Sequence, residues 1–168
     1  MSRITVLRGD ITRLEVDAIV NAANKSLLGG GGVDGAIHRA AGIGLFNECV
    51  MLGGANTGEE KITQAYGLPA KFVIHAVGPV WCGGGHDEEK LLESCYENAF
   101  RLAAENNIRS IAFPAISCGA YRFPIEKAAR VAINAIQENT LKYPELEKIV
   151  LVDINDTVLN EYKKLLRI

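Results

Sequence analysis

Short apolar segments alternate with amphipathic ones along most of this chain. The second of them, Ala18–Ala22, is apolar without alternation, which is typical of a strand covered on both faces. Six strands are predicted in all: Ile4–Arg8, Ala18–Ala22, Lys61–Ala65, Phe72–Val77, Ser110–Phe113 and Lys148–Val152. Because helical patterns lie between nearly all of them, the sequence predicts an α/β fold with a mixed or parallel central sheet between helical layers.

Apolar residues three and four positions apart predict five helices. Asp87 is a plausible N-cap, and the pair Glu88 and Glu89 then falls in a solvated first turn. The predicted helices are Val33–Ala41, Leu45–Leu52, a third from Asp87 to about Asn106, a fourth from Pro124 to about Asn139, and a last one capped by Asn155 or Asp156. No repeat or linker-like composition divides residues 1–168, so we expect one domain.

The size and charge of the chain narrow the classes of function. Its 168 residues are 48% hydrophobic, enough for one sizeable core, and 18 basic against 20 acidic residues give a formal charge of −2. This balance argues against direct nucleic-acid binding. The longest apolar run, Phe72–Trp81, is interrupted by His75 and is too short for a membrane span. With no secretory pattern at the N-terminus, we expect a cytoplasmic protein that does not bind membranes.

The four cysteines do not form a metal-binding pattern, since no C-x-x-C pair and no histidine at zinc-ligand spacing is present. We therefore predict neither a metal nor another cofactor. Cys49 and Cys95 fall in apolar helical patterns and are expected in the core. Cys118 lies in a Ser-Cys-Gly loop, where a nucleophile is a less favoured alternative because no histidine is paired with it in the sequence.

The most informative stretch is Val20–Gly42. Its strand leads through Asn21 and Asn24 into four glycines, Gly29–Gly32, and then into a helix that begins near Asp34. Glycines before a helix start form an anion site, because free N–H groups and the helix dipole point the same way. A bound phosphate would repel the carboxylate of Asp34 and raise its pKa, so a chemical role is one explanation for its presence.

Further polar or small residues follow other predicted strands, and ligands of open α/β sheets bind beyond the carboxyl ends of strands. Asp10 follows the first strand, the loop Ser117–Tyr121 follows the fifth, and Asp153–Asn155 follows the last. Two small-residue loops suit a diphosphate, Tyr121 could cover a sugar ring, and Asp10 could accept a hydrogen bond from an exocyclic amine. These parts indicate a nucleotide diphosphate that carries a further group.

Gly30, Gly32 and Gly35 also match the dinucleotide fingerprint G-x-G-x-x-G. That fingerprint should follow its strand tightly, with an acidic residue about twenty positions further on at the end of the next strand. Here six or more residues intervene, and Glu48 lies in a helical pattern. Dinucleotide redox chemistry is therefore disfavoured, and a P-loop is excluded because no Gly-Lys-Ser/Thr follows.

The chain resembles the macro domain family, and within it the MacroD-type branch that includes bacterial O-acetyl-ADP-ribose deacetylases. The most specific segment is Asn-Ala-Ala-Asn at Asn21–Asn24, followed by Gly-Gly-Gly-Val-Asp-Gly-Ala-Ile-His at Gly30–His38. Further matching segments are Gly9–Thr12, Val16–Val20, Thr57–Gly58, Leu68–Lys71, Val73–Pro79 and Phe113–Ser117. The resemblance covers essentially the whole chain and implies a three-layer α/β/α sandwich with a mixed sheet that binds ADP-ribose.

Residue roles follow from this resemblance. Asp10, with Ile11 beside it, would hold the adenine amine, Asn24 would reach the distal ribose, and Asp34 would take part in hydrolysis. The diphosphate and distal ribose would be wrapped by Gly32, Val33, Ser117, Cys118, Gly119, Ala120 and Tyr121. The implied activity is hydrolysis of an ester at the distal ribose, with ADP-ribose, its esters and mono-ADP-ribosylated proteins as partners.

Several alternatives remain at this stage. Water could be activated by Asp34 or by a phosphate of the ligand. A reader that binds ADP-ribose without turnover, or a regulator of an RNA-processing partner, would fit the same chain. The second loop departs from the family, where a larger apolar residue is usual at Ala120 and glycine at Arg122, and this could reshape the rim of the site. For Asn21, a ligand role and simple satisfaction of backbone groups are about equally supported.

The remaining candidates are two histidines and two aromatic residues. His38 and His75 are expected to be structural. Tyr121 is expected to contact the ligand, and Trp81 is left undecided between site and core.

Overall fold

The computed structural model describes residues 3–168, which form a six-stranded mixed sheet. The strand order is β1-β6-β5-β2-β4-β3, and every neighbouring pair is parallel except β3 and β4. The strands are β1 (Ile4–Arg8), β2 (Ala18–Ala23), β3 (Glu60–Gln64), β4 (Phe72–Val77), β5 (Ser110–Phe113) and β6 (Lys148–Asp153). The predicted α/β fold with a mixed sheet is confirmed.

Five α-helices cover the two faces of this sheet. They are α1 (Gly32–Ala41), α2 (Ile43–Leu52), α3 (Glu88–Glu105), α4 (Ile125–Lys142) and α5 (Asp156–Leu166). Apolar residues of α1 and α2 pack on one face, with Ile19 and Val73 of the sheet, and those of α3, α4 and α5 pack on the other. Side chains of β2 and β4 alternate between these two cores, which explains why both strands are apolar except at Asn21 and His75.

The predicted element boundaries either agree with the structure or differ from it by at most three residues. Strand β3 begins and ends one residue earlier than predicted, and α2 begins two residues earlier. The connection between β1 and β2 contains a short 3-10 helix, Ile11–Arg13. Asn155, one of the two predicted capping residues, caps α5 by accepting a hydrogen bond from the Thr157 backbone N–H at 2.9 Å.

The prediction of a solvated start for α3 is wrong at Glu88. Asp87 does precede the helix, but it makes no side-chain capping bond and has a φ of 59°. Glu88 is instead buried, and its carboxylate accepts backbone N–H groups of Cys82, Gly84 and His86 at 2.6 to 3.0 Å. These bonds outweigh the effect of burial and lower the pKa of Glu88 to about 2.

The predicted core cysteines are confirmed, because Cys49 and Cys95 are fully buried. Among residues 3–168, no helix has the length and apolar character needed to cross a bilayer.

Candidate active site

A cleft of about 720 Å³ opens at the carboxyl ends of β1, β2, β5 and β6. Every residue that the sequence and the family resemblance single out for ligand contact lines it, from both glycine-containing loops and from the end of β1. These residues are Asp10, Ile11, Asn24, Gly32, Val33, Asp34, Ser117, Cys118, Gly119, Ala120 and Tyr121. The fold therefore brings together segments that are more than one hundred residues apart in the chain.

The glycine loop lies at the start of α1 and leaves its backbone open. Gly31 is the N-cap residue and provides no side-chain hydrogen bond to the first turn. A Cβ atom added at Gly31 or Gly32 would meet nothing within 4 Å, and Gly32 has a φ of 56°, which favours glycine. The first N–H groups of α1 are thus available to an anion, as the sequence predicts.

Gly35 has a different role in this loop. A Cβ at that position would collide with the Gly30 carbonyl oxygen, so glycine is needed for α1 to approach the loop this closely. The last glycine of the fingerprint-like spacing therefore has a packing cause in this fold.

Asp34 lies in the first turn of α1, directly after the glycine loop, and is only 5% exposed. Its Oδ1 accepts a hydrogen bond from Asn21 Nδ2 at 2.9 Å and lies 3.6 Å from His38 Nε2. Burial raises the pKa of Asp34, and this effect exceeds the lowering by the Asn21 hydrogen bond and by His38. The pKa of Asp34 is thus raised, as the sequence analysis expects, but the cause in the structure is burial and not a bound phosphate.

Asn24 organises the loop that follows β2. Its Oδ1 accepts hydrogen bonds from the Ser26 N–H and hydroxyl and from the Leu27 N–H, and its Nδ2 donates to the Gly29 carbonyl at 3.0 Å. An amide nitrogen carries two hydrogens, so one remains for a ligand. Asn24 therefore closes a turn and still lines the cleft.

The functional groups of Asp34 and Asn24 converge at Gly30. A Cβ built on Gly30 would lie 3.2 Å from Asp34 Oδ2 and 3.3 Å from Asn24 Nδ2. Asp34 Oδ2 makes no hydrogen bond with any part of the chain that the structure describes. A carboxylate oxygen and an amide N–H thus face one small space beside the glycine loop.

Sequence reasoning did not find the partners of Asn21. This residue is fully buried, and its Nδ2 contacts both Asp34 Oδ1 and, at 3.2 Å, His75 Nδ1. The sequence carries one indication of this contact, because each of two apolar strands contains a single polar residue. These residues, Asn21 of β2 and His75 of β4, are register partners in the sheet. His75 is a core histidine with hydrogen-bond partners, as predicted, and His38 is more closely engaged with Asp34 than predicted.

At the other end of the cleft, Asp10 accepts hydrogen bonds from the Thr12 hydroxyl and N–H at 2.7 and 3.0 Å. These bonds lower the pKa of Asp10 and keep it ionised. Asp153 accepts a hydrogen bond from the Ala115 N–H at 3.1 Å, which ties the end of β6 to the second loop. Both carboxylates line the cleft.

The second loop turns tightly at Gly119–Arg122, where the Arg122 N–H donates to the Gly119 carbonyl at 2.9 Å. Arg122 is exposed and has a φ of 59°, a conformation that favours the glycine usual in the family. The Tyr121 carbonyl accepts a hydrogen bond from the Trp81 N–H at 2.8 Å. The Trp81 ring packs on Phe123 with centroids 4.8 Å apart, so it supports the loop from the core side.

The alternative of a Cys118 nucleophile is not supported by its surroundings. Burial, with a smaller contribution from Asp153, raises the pKa of the Cys118 thiol to about 12, which keeps it protonated. Over residues 3–168, histidine, cysteine and acidic side chains form no group of three or more placed to hold a metal ion.

Fold and cleft together define an α/β sandwich whose main cleft combines a glycine loop, a helix N-terminus and a buried carboxylate. Residues 20–132 match the Macro domain family, and the chain belongs to that family. Among its relatives, the O-acetyl-ADP-ribose deacetylase of Salmonella typhimurium is 51% identical over 98% of this chain and 94% of its own. The human ADP-ribose glycohydrolase MACROD2 is 54% identical over 96% of this chain and 39% of its own length.

Solved structures agree with these sequence relatives. A mutant Oceanobacillus iheyensis macrodomain with ADPR (ADP-ribose) superimposes with a TM-score of 0.92, at 39% identity, over 96% of this chain and 90% of that one. The family expected from the sequence motifs is therefore confirmed, and its relatives include hydrolases of ADP-ribose derivatives.

Proposed function

We propose that this protein binds ADP-ribose in the cleft and hydrolyses an ester bond at the distal ribose. The substrates are O-acetyl-ADP-ribose, which would yield acetate, and mono-ADP-ribose attached to acidic side chains of proteins. Two relatives named as hydrolases of ADP-ribose compounds, each covering at least 96% of this chain, support the hydrolase class. We further propose, from the sequence alone, that it acts in the cytoplasm.

The observation that carries this proposal is the convergence of Asp34 Oδ2 and Asn24 Nδ2 beside Gly30. In the proposed mechanism the diphosphate lies against the glycine loop and the start of α1. The distal ribose then enters the space between these two side chains, where the free N–H of Asn24 holds a ribose hydroxyl. Asp10 and Ile11 receive the adenine, and the loop Ser117–Tyr121 closes around the phosphates and ribose.

Asp34 acts as the general base of this reaction. Its Oδ2 takes a proton from water, the resulting hydroxide attacks the ester carbonyl carbon, and the acyl–oxygen bond breaks. The proton then passes to the ribose oxygen, which leaves as a hydroxyl group. A raised pKa suits this role, because it brings the base closer to the operating pH.

The test compares wild type, Asp34→Ala and Asp10→Ala on both ester substrates, with ADP-ribose binding measured by calorimetry. We expect Asp34→Ala to lower kcat by about 10²–10⁴-fold, the usual contribution of a general base, while it still binds ADP-ribose. Asp10→Ala is the matched control on the adenosine side, and it should weaken binding while kcat changes little.

Each other outcome has a definite meaning. Unchanged turnover in Asp34→Ala would contradict the general-base role and leave a phosphate of the ligand as the group that activates water. Binding by wild type without any product from either ester would make the protein a reader of ADP-ribose.

A further inference from the structure

A row of three buried polar side chains lies on the sheet face covered by α1 and α2. Asn21 of β2 and His75 of β4 are register partners, and Thr63 follows on β3. All three are at most 2% exposed, in a core whose other members are apolar. Buried polar groups are costly without partners, so the contacts within this row carry information about its purpose.

The hydrogen bonds of the row have one consistent direction. Asn21 Nδ2 is a donor only, and it lies 2.9 Å from Asp34 Oδ1 and 3.2 Å from His75 Nδ1. His75 Nδ1 must therefore accept, which leaves the ring proton on Nε2, 3.0 Å from Thr63 Oγ1. The Thr63 hydroxyl in turn donates to the Gln64 carbonyl at 2.9 Å.

This arrangement also determines which way the Asn21 amide faces. With the amide turned over, its oxygen would lie against the carboxylate oxygen of Asp34, a repulsive contact that the observed orientation avoids. One N–H of Asn21 therefore donates to His75 Nδ1. This bond orients the amide so that its other N–H donates to Asp34 Oδ1. Asp34 Oδ2 is left directed toward the cleft.

We propose that His75 and Thr63 are positioning residues for Asp34, acting through the Asn21 amide. This inference rests on the proposed function, in which Asp34 Oδ2 reacts with water. Neither residue lines the cleft, so neither touches the substrate. Their effect is to fix the orientation of the carboxylate and to keep a hydrogen-bond donor on its inner oxygen.

Burial keeps His75 in this row and Cys49 beside it uncharged. Burial lowers the pKa of His75 to about 3, so the ring stays neutral and its Nδ1 remains an acceptor. The other ionisable groups that face the row are His38 of α1, beside Asp34, and Cys49 of α2, whose Sγ lies 3.8 Å from His75 Nε2. Burial raises the pKa of the Cys49 thiol to about 11, so this group is uncharged as well.

The experiment compares two pairs of variants. His75→Leu and His75→Asn remove the ring and leave side chains of nearly equal size, but only asparagine places an acceptor oxygen near the position of Nδ1. Thr63→Val and Thr63→Ser likewise differ in whether the hydroxyl is kept. The measurements are kcat on the ester substrates, the Kd for ADP-ribose, and the pKa of Asp34 from carboxyl ¹³C shifts.

We expect His75→Leu to lower kcat about tenfold or more, since small misplacements of a catalytic group have effects of this size. The Kd should change by less than about threefold, because the diphosphate and adenine contacts are untouched. The pKa of Asp34 should rise as its donor is lost. His75→Asn should recover most of kcat, and Thr63→Val should show a smaller loss that Thr63→Ser does not.

A second readout does not depend on turnover. Imidazole ¹⁵N shifts of wild type should show His75 neutral, with its proton on Nε2, down to about pH 4. A proton on Nδ1 would overturn the proposal. Equal losses of kcat in both His75 variants, with the pKa of Asp34 unchanged, would also overturn it and leave a purely structural role.

Failure of the proposed function is distinguishable from failure of this inference. If wild type hydrolyses neither ester, the proposed function is wrong, but the tautomer and the titration of Asp34 still decide whether the row positions that carboxylate. If His75→Leu does not fold, the Thr63 pair and the wild-type tautomer decide the same question.

Discussion

The two oxygens of the Asp34 carboxyl group have different surroundings. Its Oδ1 is held by Asn21 and faces His38, while its Oδ2 faces the space beside Gly30. Burial raises its pKa and the Asn21 hydrogen bond lowers it, with burial the stronger effect. The side chain is thereby both fixed in position and made more basic than an exposed aspartate.

This balance predicts how activity depends on pH. The pKa of Asp34 lies above its ordinary value of 3.8, so this carboxylate, the proposed general base, becomes protonated at a higher pH than an exposed aspartate would. We expect kcat/KM for an ester substrate to fall as pH decreases through this raised pKa. The measurement is a pH profile at saturating and limiting substrate.

Asp34→Ala provides the control for this profile, because its residual turnover should lack the same acidic limb. An acidic limb that is identical in wild type and Asp34→Ala would assign the titration to another group and contradict the prediction.

At the scale of elements, the glycine loop and α1 act as one unit. The loop leaves its backbone open at Gly31 and Gly32, beside the proposed phosphate position, and it needs glycine at Gly35 for close packing. Gly30 has a third requirement, because its missing Cβ makes the space shared by Asp34 Oδ2 and Asn24 Nδ2. Neighbouring glycines in this loop are therefore not equivalent.

Gly30→Ala and Gly31→Ala test this difference. The Cβ at Gly30 would lie 3.2 to 3.3 Å from the two functional groups and displace them, whereas the Cβ at Gly31 would meet nothing within 4 Å. We expect Gly30→Ala to lower kcat about tenfold or more, and Gly31→Ala to have a much smaller effect. Steady-state kinetics check this, and equal effects of both substitutions would contradict it.

A second element is held by a single carboxylate. Glu88, at the start of α3, accepts three backbone N–H groups from the loop Cys82–His86 and so fixes a segment rich in glycine. Its pKa of about 2 lies below the ordinary 4.5. Its stabilising contribution is therefore complete above pH 4.5 and is lost as pH falls toward 2.

Glu88→Gln should lower the Tm by a few degrees at neutral pH. The Gln amide would place an N–H₂ group against backbone donors, so at least one hydrogen bond is lost. Glu89→Gln is the matched control, because Glu89 is the exposed neighbour in the same turn. Thermal unfolding of both variants checks the prediction, and equal Tm values would contradict it.

At the scale of the whole molecule, the sequence predicts the fold and the members of the cleft better than the contacts between them. Apolar runs and glycines identify β2, β4 and the loop before α1, since these features depend on local pattern. The bonds of Asn21 with Asp34 and His75 depend on which strands become neighbours, which no local pattern specifies. The burial of Glu88 is not predictable from the sequence for a related reason, because its hydrogen-bond partners come from the loop Cys82–His86 folding back on it.

Glu60 is a further ionisable side chain whose burial is evident only in the folded structure. It lies on β3 against α3, and neither of its carboxyl oxygens is exposed or hydrogen-bonded. Burial raises the pKa of Glu60 well above 4.5, and the nearby Arg101 only partly opposes this. The folded protein therefore binds the proton of Glu60 more tightly than the unfolded chain does.

This difference makes stability depend on pH in a defined direction. As pH rises above the unfolded pKa of 4.5, the unfolded chain gains stability by ionising Glu60 while the folded protein does not, so the free energy of unfolding falls until the folded pKa is reached.

Glu60→Gln removes this ionisation and should raise the Tm at pH 7 by a few degrees relative to wild type, with little gain at pH 4. Urea or thermal unfolding across this range measures the effect, with Glu138→Gln on the exposed face of α4 as the control. A gain at pH 7 no larger than that at pH 4 would show that the Glu60 carboxyl is not a source of pH-dependent instability in this fold.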